Sequence, residues 1–95
     1  MPKVKRQDGE FSPTPEIHLR HLTVDEALIK LNRELDDFFV SGFPKVRVVH
    51  GRGGTGIIRD TVRSVLSKHP LVKSFRPGMS GEGGAGATVV EFADK

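Results

Sequence analysis

The sequence predicts an α/β (α+β) domain of four strands and two helices in the order β-α-β-α-β-β. Short apolar runs bounded by glycine and proline indicate the strands, and two longer stretches with apolar residues at helical spacing indicate the helices. The chain has 95 residues and no cysteine, so one small domain without disulfides or thiolate metal sites is expected. Residues 1–15 lack apolar periodicity and contain three prolines, which predicts a flexible N-terminal arm.

The first predicted strand is "IHLR", residues 17–20. Apolar and polar residues alternate, so Ile17 and Leu19 are expected to point into the core while His18 and Arg20 lie on the other face. Glu16 shares that polar face by the same two-residue period.

The first helix is predicted from "TVDE", where Thr23 and Glu26 have the spacing of a capping box. Apolar residues then recur at helical spacing up to Phe38. Gly42 and Pro44 mark the helix end.

The remaining elements follow from the same signals. "KVRVVH" predicts a second strand, parallel to the first because a helix separates them. A glycine-rich loop leads into a helix that ends at His69-Pro70. "LVKSFR" and "TVVEF" predict the last two strands, and "PGMSGEGGAGA" predicts a mobile loop between them.

Charge is unevenly distributed along the chain. Residues 41–76 contain eight basic residues and one acidic residue, a net charge of +7, whereas residues 21–40 are acidic. A basic half suggests a polyanionic partner such as nucleic acid, although solvated surface charge is an equally ordinary explanation.

The loop "HGRGGTG" separates the second strand from the second helix. Gly51, Gly53 and Gly56 fit the dinucleotide-binding spacing, but the loop follows the second strand rather than the first, and the expected downstream carboxylate is missing. The Lys-Ser/Thr pair of a P-loop is missing as well. A site for nucleic-acid phosphates is therefore predicted, with a simple tight turn as the alternative. The predicted contacts are Arg20, Gly51, Arg52, Gly53, Gly54, Thr55, Gly56, Arg59 and Arg63.

These motifs resemble the small MutS-related (Smr) domain found at the C-terminus of a recombination-suppressing bacterial MutS paralogue. The matching segments are "IHLRHL", "HGRGGTG" and "GEGGAGATVVEF". The resemblance covers residues 16–92 and leaves 93–95 as a C-terminal tail. It implies a two-layer sandwich with a mixed four-stranded sheet, like the C-terminal domain of translation initiation factor three.

The resemblance also implies nucleic-acid binding, often with endonuclease activity. The expected function is nicking of duplex or branched DNA in suppression of homologous recombination, with a MutS-like ATPase and coiled-coil regions of a parent chain as partners. The chain departs from the family pattern in three places: His18 stands where Asp is common, His21 replaces a glycine, and Gly54 is an apparent insertion. The alternative function is therefore an RNA- or ribosome-binding module, either non-catalytic or RNA-cleaving.

Phosphodiester cleavage requires proton transfer and stabilisation of negative charge. His50 and His18 are the predicted proton-transfer residues, with Glu16 as a substitute carboxylate. For His50 the alternative is a histidine that orders its loop by hydrogen bonding. No metal site is predicted, although a divalent cation, Mg²⁺ or Mn²⁺, is compatible with such an activity. The lack of cysteine, of an apolar span and of a signal peptide predicts a cytoplasmic protein without membrane partners.

Overall fold

The structure is a computed structural model that describes residues 14–52 and 56–94. The strands are β1 (Glu16–His18), β2 (Lys45–Val49), β3 (Val72–Pro77) and β4 (Ala87–Phe92). The helices are α1 (Val24–Val40) and α2 (Ile57–Lys68), and a short 3₁₀ turn (Gly84–Gly86) precedes β4. The predicted order β-α-β-α-β-β is confirmed.

The four strands form one mixed sheet in the order β1-β2-β4-β3. β1 and β2 are parallel, as predicted, and β4 runs antiparallel to both β2 and β3. Parallel pairing of β1 and β2 brings their carboxyl ends to the same end of the sheet. The glycine loop after β2 therefore lies beside the segment that follows β1.

Both helices pack on one face of the sheet and share a single core with it. The core takes inward residues of the strands and the apolar stripes of the helices: Ile17, Leu19, Ala27, Leu31, Leu35, Val46, Val48, Val62, Leu66, Val90 and Phe92. The opposite face is not covered by either helix. We call it the open face, and it carries Glu16, His18, Lys45, Arg47, Ser74, Arg76, Val89 and Glu91.

Helix α1 begins as the sequence predicts. The Thr23 hydroxyl accepts a hydrogen bond from the Glu26 amide at 3.1 Å, and the Glu26 carboxylate accepts one from the Thr23 amide at 2.9 Å. Ser41 caps the C-terminus and Gly42 follows with φ of 91°. These contacts provide hydrogen-bond partners for backbone groups at the helix ends that have none within the helix.

Each predicted strand differs from the observed one by one or two residues at one end or both. β1 ends at His18 rather than residue 20, because His21 adopts the left-handed conformation with φ of 68° and the chain turns there. Leu19 still donates to the Val49 carbonyl at 2.9 Å, which extends the pairing by one residue. β3 begins at Val72 and contains an irregularity between Val72 and Ser74 that periodicity does not reveal.

The glycine-rich connection between β3 and β4 is held by Glu82. Its carboxylate accepts two hydrogen bonds from the Arg76 guanidinium, at 2.8 and 3.0 Å, and one from the Met79 amide at 2.9 Å. The Arg76 and Met79 donors lower the pKa of Glu82 to about 2. The carboxylate therefore stays ionised and keeps this loop folded back on β3 over the ordinary pH range.

Within residues 14–52 and 56–94, neither helix has the length and apolar character needed to cross a membrane. The predicted arm falls mostly on residues 1–13, which lie outside the described residues. Pro15 belongs to the folded part, because its carbonyl accepts a hydrogen bond from the Arg47 amide at 2.9 Å.

Candidate nucleic-acid interface and catalytic residues

A cleft opens where the loop after β2 meets the 3₁₀ turn before β4. The amides of His50 and Gly51 both donate to the Gly86 carbonyl, at 3.0 and 2.9 Å, and so fix one loop against the other. The cleft has a volume of about 420 Å³. Its lining consists of Arg20, Val49, Gly51, Arg52, Gly83 and Gly86.

Two predicted arginines lie directly on glycine backbone in this cleft. Gly51 has φ of 84°, and a Cβ atom built on it would be 3.4 Å from Cγ and Nε of Arg20. A Cβ atom on Gly86 would be 3.2 Å from Cγ of Arg52. The first distance is an ordinary van der Waals contact, whereas the second is tight, so glycine at position 86 gives the Arg52 side chain its room. The result is a concave surface with two guanidinium groups, which suits an anionic phosphate.

The other predicted contacts lie on or beside α2. Gly56 precedes the helix in the left-handed conformation, and Arg59 packs against it, since a Cβ on Gly56 would be 2.6 Å from an Arg59 nitrogen. Arg59 also donates to the Asp60 carboxylate at 3.3 Å. The charges of Arg59 and Arg63 also lower the pKa of His50, although neither arginine lines the cleft. The predicted contacts Gly53, Gly54 and Thr55 lie outside the described residues.

His50 is buried, with 7% of its surface exposed. Nδ1 lies 2.9 Å from the Gly51 carbonyl, and Nε2 lies 2.9 Å from the Thr88 hydroxyl. A carbonyl only accepts, so Nδ1 carries the proton and the Thr88 hydroxyl donates to Nε2. Burial lowers the pKa of His50, a backbone hydrogen bond to Gly51 opposes this, and the charges of Arg63 and Arg59 lower the pKa further. The ring is therefore neutral at pH 7.

The hydrogen bonds of His50 match the alternative that the sequence left open, a histidine that orders its loop. Both ring nitrogens are occupied by partners within the chain. His50 can take up a substrate proton only if the Thr88 hydroxyl releases Nε2. The catalytic role predicted for His50 remains a prediction that this geometry does not favour.

Glu16 and His18 form a pair on the open face. Nε2 of His18 lies 2.9 Å from Oε1 of Glu16. The side chain of His18 is 62% exposed, in contrast to that of His50. Oε2 of Glu16 accepts hydrogen bonds from Nε of Arg47, at 2.8 Å, and from the Nη2 nitrogen of the same guanidinium. These Arg47 hydrogen bonds are the main cause that lowers the pKa of Glu16; desolvation opposes them, and the charges of Arg47 and His18 lower the pKa further.

His18 is not among the residues that line the cleft, but it lies beside one of them in the sheet. It is the register partner of Val49, which lines the cleft. Arg20, another lining residue, follows two positions later, beyond the end of β1. The structure therefore brings His18, Glu16, Arg20 and Arg52 to one end of the sheet, as the parallel pairing of β1 and β2 predicts.

A divalent cation would find few protein ligands here. None of the residues lining the cleft is a carboxylate, and both oxygens of Glu16 are bonded to Arg47 and His18. No group of three or more His, Asp or Glu side chains with ligand geometry occurs in residues 14–52 and 56–94. Hard cations prefer several oxygen ligands, so the described residues do not fit a protein-held Mg²⁺ or Mn²⁺ ion.

Sequence reasoning missed four residues of this site: Arg47, Gly83, Gly86 and Thr88. Two of them had a detectable signal. Arg47 alternates with Val46 and Val48 in "KVRVV", which places it on the open face beside Glu16. Thr88 occupies a core-facing position in "ATVVEF", and a buried hydroxyl needs a partner.

Comparison with known proteins agrees with this fold and identifies the family. The family profile described as Smr domain matches residues 17–93. Curated relatives include Endonuclease MutS2 of Caldicellulosiruptor saccharolyticus, 46% identical over 82% of this chain, and Endonuclease MutS2 of Thermomicrobium roseum, 54% identical over 80% of this chain. In both cases the match covers 10% of the relative, so the chain spans about a tenth of their length.

Two solved structures have the same fold. The crystal structure of the Smr domain of Thermus thermophilus MutS2 matches with a TM-score of 0.81 and 38% identity, over 85% of this chain and 100% of that one. YdaL, a stand-alone small MutS-related protein from Escherichia coli, matches with a TM-score of 0.78 over 99% of this chain and 82% of that one. Its identity is 20%, so this likeness shows the fold alone. The profile match and the identities to the MutS2 proteins establish that the chain belongs to the Smr domain family.

Proposed function

We propose that this domain is a nicking endonuclease that acts on duplex or branched DNA in the cytoplasm. A MutS-like ATPase with coiled-coil regions, in a longer parent chain, delivers it to DNA during suppression of homologous recombination. The proposal is supported by the relatives named Endonuclease MutS2. It rests on one observation of the site, an exposed histidine that is paired with a carboxylate and lies opposite Val49, a residue of the cleft that two arginines also line.

DNA binding follows from the chemistry of the cleft. Arg20 and Arg52 line the cleft beside Gly51, and Arg59 and Arg63 extend the positive charge along α2. Phosphate oxygens are bound well by guanidinium groups, and such contacts carry no sequence preference. The cleft therefore suits a nucleic-acid backbone rather than a particular base.

In the proposed hydrolysis, His18 acts as the general base. Water attacks the phosphorus while its proton passes to the ring of His18, the bond from phosphorus to the leaving oxygen breaks, and the leaving oxygen takes a proton from solvent. Arg20 and Arg52 stabilise the added charge on the non-bridging oxygens. Glu16 stabilises the protonated ring through its 2.9 Å contact with Nε2. His50 keeps the glycine loop in place through Thr88 and Gly51.

The second candidate function is RNA or ribosome binding without cleavage. It is favoured by one departure from the family's sequence pattern: His18 occupies the position where the family commonly has Asp. A histidine there binds an anionic backbone but is a different base from a carboxylate. The two functions share the cleft and differ only in the chemical step.

Incubation with supercoiled plasmid separates these functions. Open circles formed by the wild-type domain and lost in His18→Ala support nicking, whereas retarded migration without open circles supports binding alone. His69→Ala is the matched control, since His69 is the C-cap of α2 and is not among the described residues that line the cleft. Parallel reactions with Mg²⁺, Mn²⁺ or a chelator determine whether a cation takes part.

A further inference from the structure

Arg47 holds the carboxylate of Glu16 from the neighbouring strand. The two residues are register partners of parallel β1 and β2, so their side chains leave the sheet next to each other on the open face. Nε and Nη2 of the guanidinium both donate to Oε2 of Glu16, Nε at 2.8 Å. The Arg47 side chain is only 22% exposed, so this two-point contact is partly shielded from water and geometrically restrictive.

Because Arg47 occupies Oε2, only Oε1 of Glu16 is left for His18. Nε2 of His18 lies 2.9 Å from that oxygen. An ionised carboxylate only accepts hydrogen bonds, so Nε2 must carry a proton. In the neutral ring the lone pair then lies on Nδ1, for which residues 14–52 and 56–94 provide no hydrogen-bond partner. The arrangement thus selects one tautomer of His18.

The backbone of His18 is fixed as well. Nζ of Lys30, on α1, donates to the His18 carbonyl at 2.8 Å. The chain at His18 is also paired with β2 opposite Val49. The main chain of His18 is therefore held in place. The contact between Nε2 and Glu16 then restrains the side-chain torsions of His18 and so the orientation of its ring.

We propose that Arg47 is a positioning residue for the nicking reaction: it holds Glu16 so that His18 keeps its proton on Nε2 and offers Nδ1 as the base. The inference rests on the proposed function, in which His18 accepts the proton of the attacking water. Arg47 touches neither substrate nor water in this scheme. It acts through Glu16, in the way that a carboxylate orients a catalytic imidazole in other hydrolases.

A purely structural role for Arg47 makes a different prediction. In that case the ion pair joins β1 to β2 and contributes only to folding. Its removal would lower the free energy of unfolding but leave the tautomer and the chemical step of the folded domain unchanged.

The test compares wild type with Arg47→Met, which removes the charge at similar length, and Arg47→Lys, which retains it. Arg33→Met is the matched control, because Arg33 lies on α1 and makes only a 3.8 Å contact with Glu34. Long-range ¹H–¹⁵N correlation spectra of the imidazole rings at pH 7.5 report the tautomer of His18. The signals of His21, His50 and His69 serve as internal references.

We expect His18 of the wild type to be mainly the Nε2–H tautomer and Arg47→Met to show a mixture. Nicking should fall in kcat by roughly tenfold, a part of what a general base contributes, with KM unchanged. Arg47→Lys should recover only part of both effects, because an ammonium group still pairs with Glu16 but cannot make the two-point contact. Arg33→Met should match the wild type. Urea unfolding of each variant shows that the folded domain is being compared.

The outcomes separate the inference from the function on which it rests. An unchanged tautomer in folded Arg47→Met overturns the positioning role, whatever the nicking result. A loss that appears only in KM overturns it too, because Arg47 would then contribute to binding. Failure of the wild type to nick any plasmid overturns the proposed function instead, while the spectra still report whether Arg47 controls the ring.

Discussion

The Thr88 hydroxyl donates a hydrogen bond to Nε2 of His50 across 2.9 Å, and both side chains are buried. Thr88 lies on β4 and His50 follows β2, so the bond joins two neighbouring strands at the base of the glycine loop. A buried acceptor that loses its partner costs about 1–3 kcal/mol. The shape of the cleft therefore depends on the buried hydrogen bond between Thr88 and His50.

Thr88→Val should lower the free energy of unfolding by about 1–3 kcal/mol, because valine has the shape of threonine but leaves Nε2 of His50 without a donor. Urea unfolding monitored by circular dichroism measures the change. Thr61→Val, the same substitution on the half-exposed side of α2, should change stability by no more than about 0.5 kcal/mol. Equal losses in the two variants would show that the Thr88 hydrogen bond is not stabilising.

Acid should destabilise the fold through His50. Burial lowers the pKa of His50 below 6.5, so on acidification the unfolded chain takes up this proton before the folded domain does. The contribution of His50 to stability is thus complete above pH 6.5 and is lost as pH falls below 6.5 towards the lowered pKa. Free energies of unfolding from pH 8 to 5 in wild type and His50→Asn measure it, with a steeper decline expected in the wild type. Parallel curves would contradict the assignment of a neutral, buried His50.

Local patterns predicted most of the fold because they act within a few residues. The capping box of Thr23 and Glu26 and the apolar stripes of α1 and α2 need no tertiary information, and their boundaries were confirmed. The end of β1 was wrong because the left-handed turn occurs at His21, and residues other than glycine adopt that conformation only uncommonly.

The site was harder to predict because its contacts join distant parts of the chain. Glu16 and Arg47 are 31 positions apart, and His50 and Thr88 are 38 apart. Motif spacing singled out His50, but only the packing of β2 against β4 reveals that its ring nitrogens are occupied. His18, which the sequence also named, is the histidine whose exposure suits contact with substrate.

Arg20 should contribute to nucleic-acid affinity through its charge. Arg20→Ala removes one guanidinium from the cleft, so we expect about a tenfold weaker binding of a short duplex at low salt, and a plot of log K against log salt that is shallower by about one unit. Arg33→Ala removes the same charge from α1, away from the cleft, and should have a much smaller effect. Fluorescence anisotropy over a series of salt concentrations measures both. An unchanged slope in Arg20→Ala would place the phosphates elsewhere.

Gly51 and Gly42 provide a matched pair for testing the packing of Arg20. Both are left-handed, with φ of 84° and 91°, so alanine at either should cost about 1–2 kcal/mol of backbone strain. A Cβ at Gly42 meets nothing within 4 Å, and one at Gly51 makes only ordinary contact with the Arg20 side chain at 3.4 Å, but Gly51 lines the cleft beside Arg20 and Gly42 does not, so strain at Gly51 acts on the cleft. We therefore expect similar losses of stability in Gly42→Ala and Gly51→Ala, but weaker DNA binding only in Gly51→Ala. Urea unfolding measures the two stabilities, and fluorescence anisotropy measures DNA binding. Equal DNA binding by the two variants would show that the position of Arg20 over the loop is unimportant for the interface.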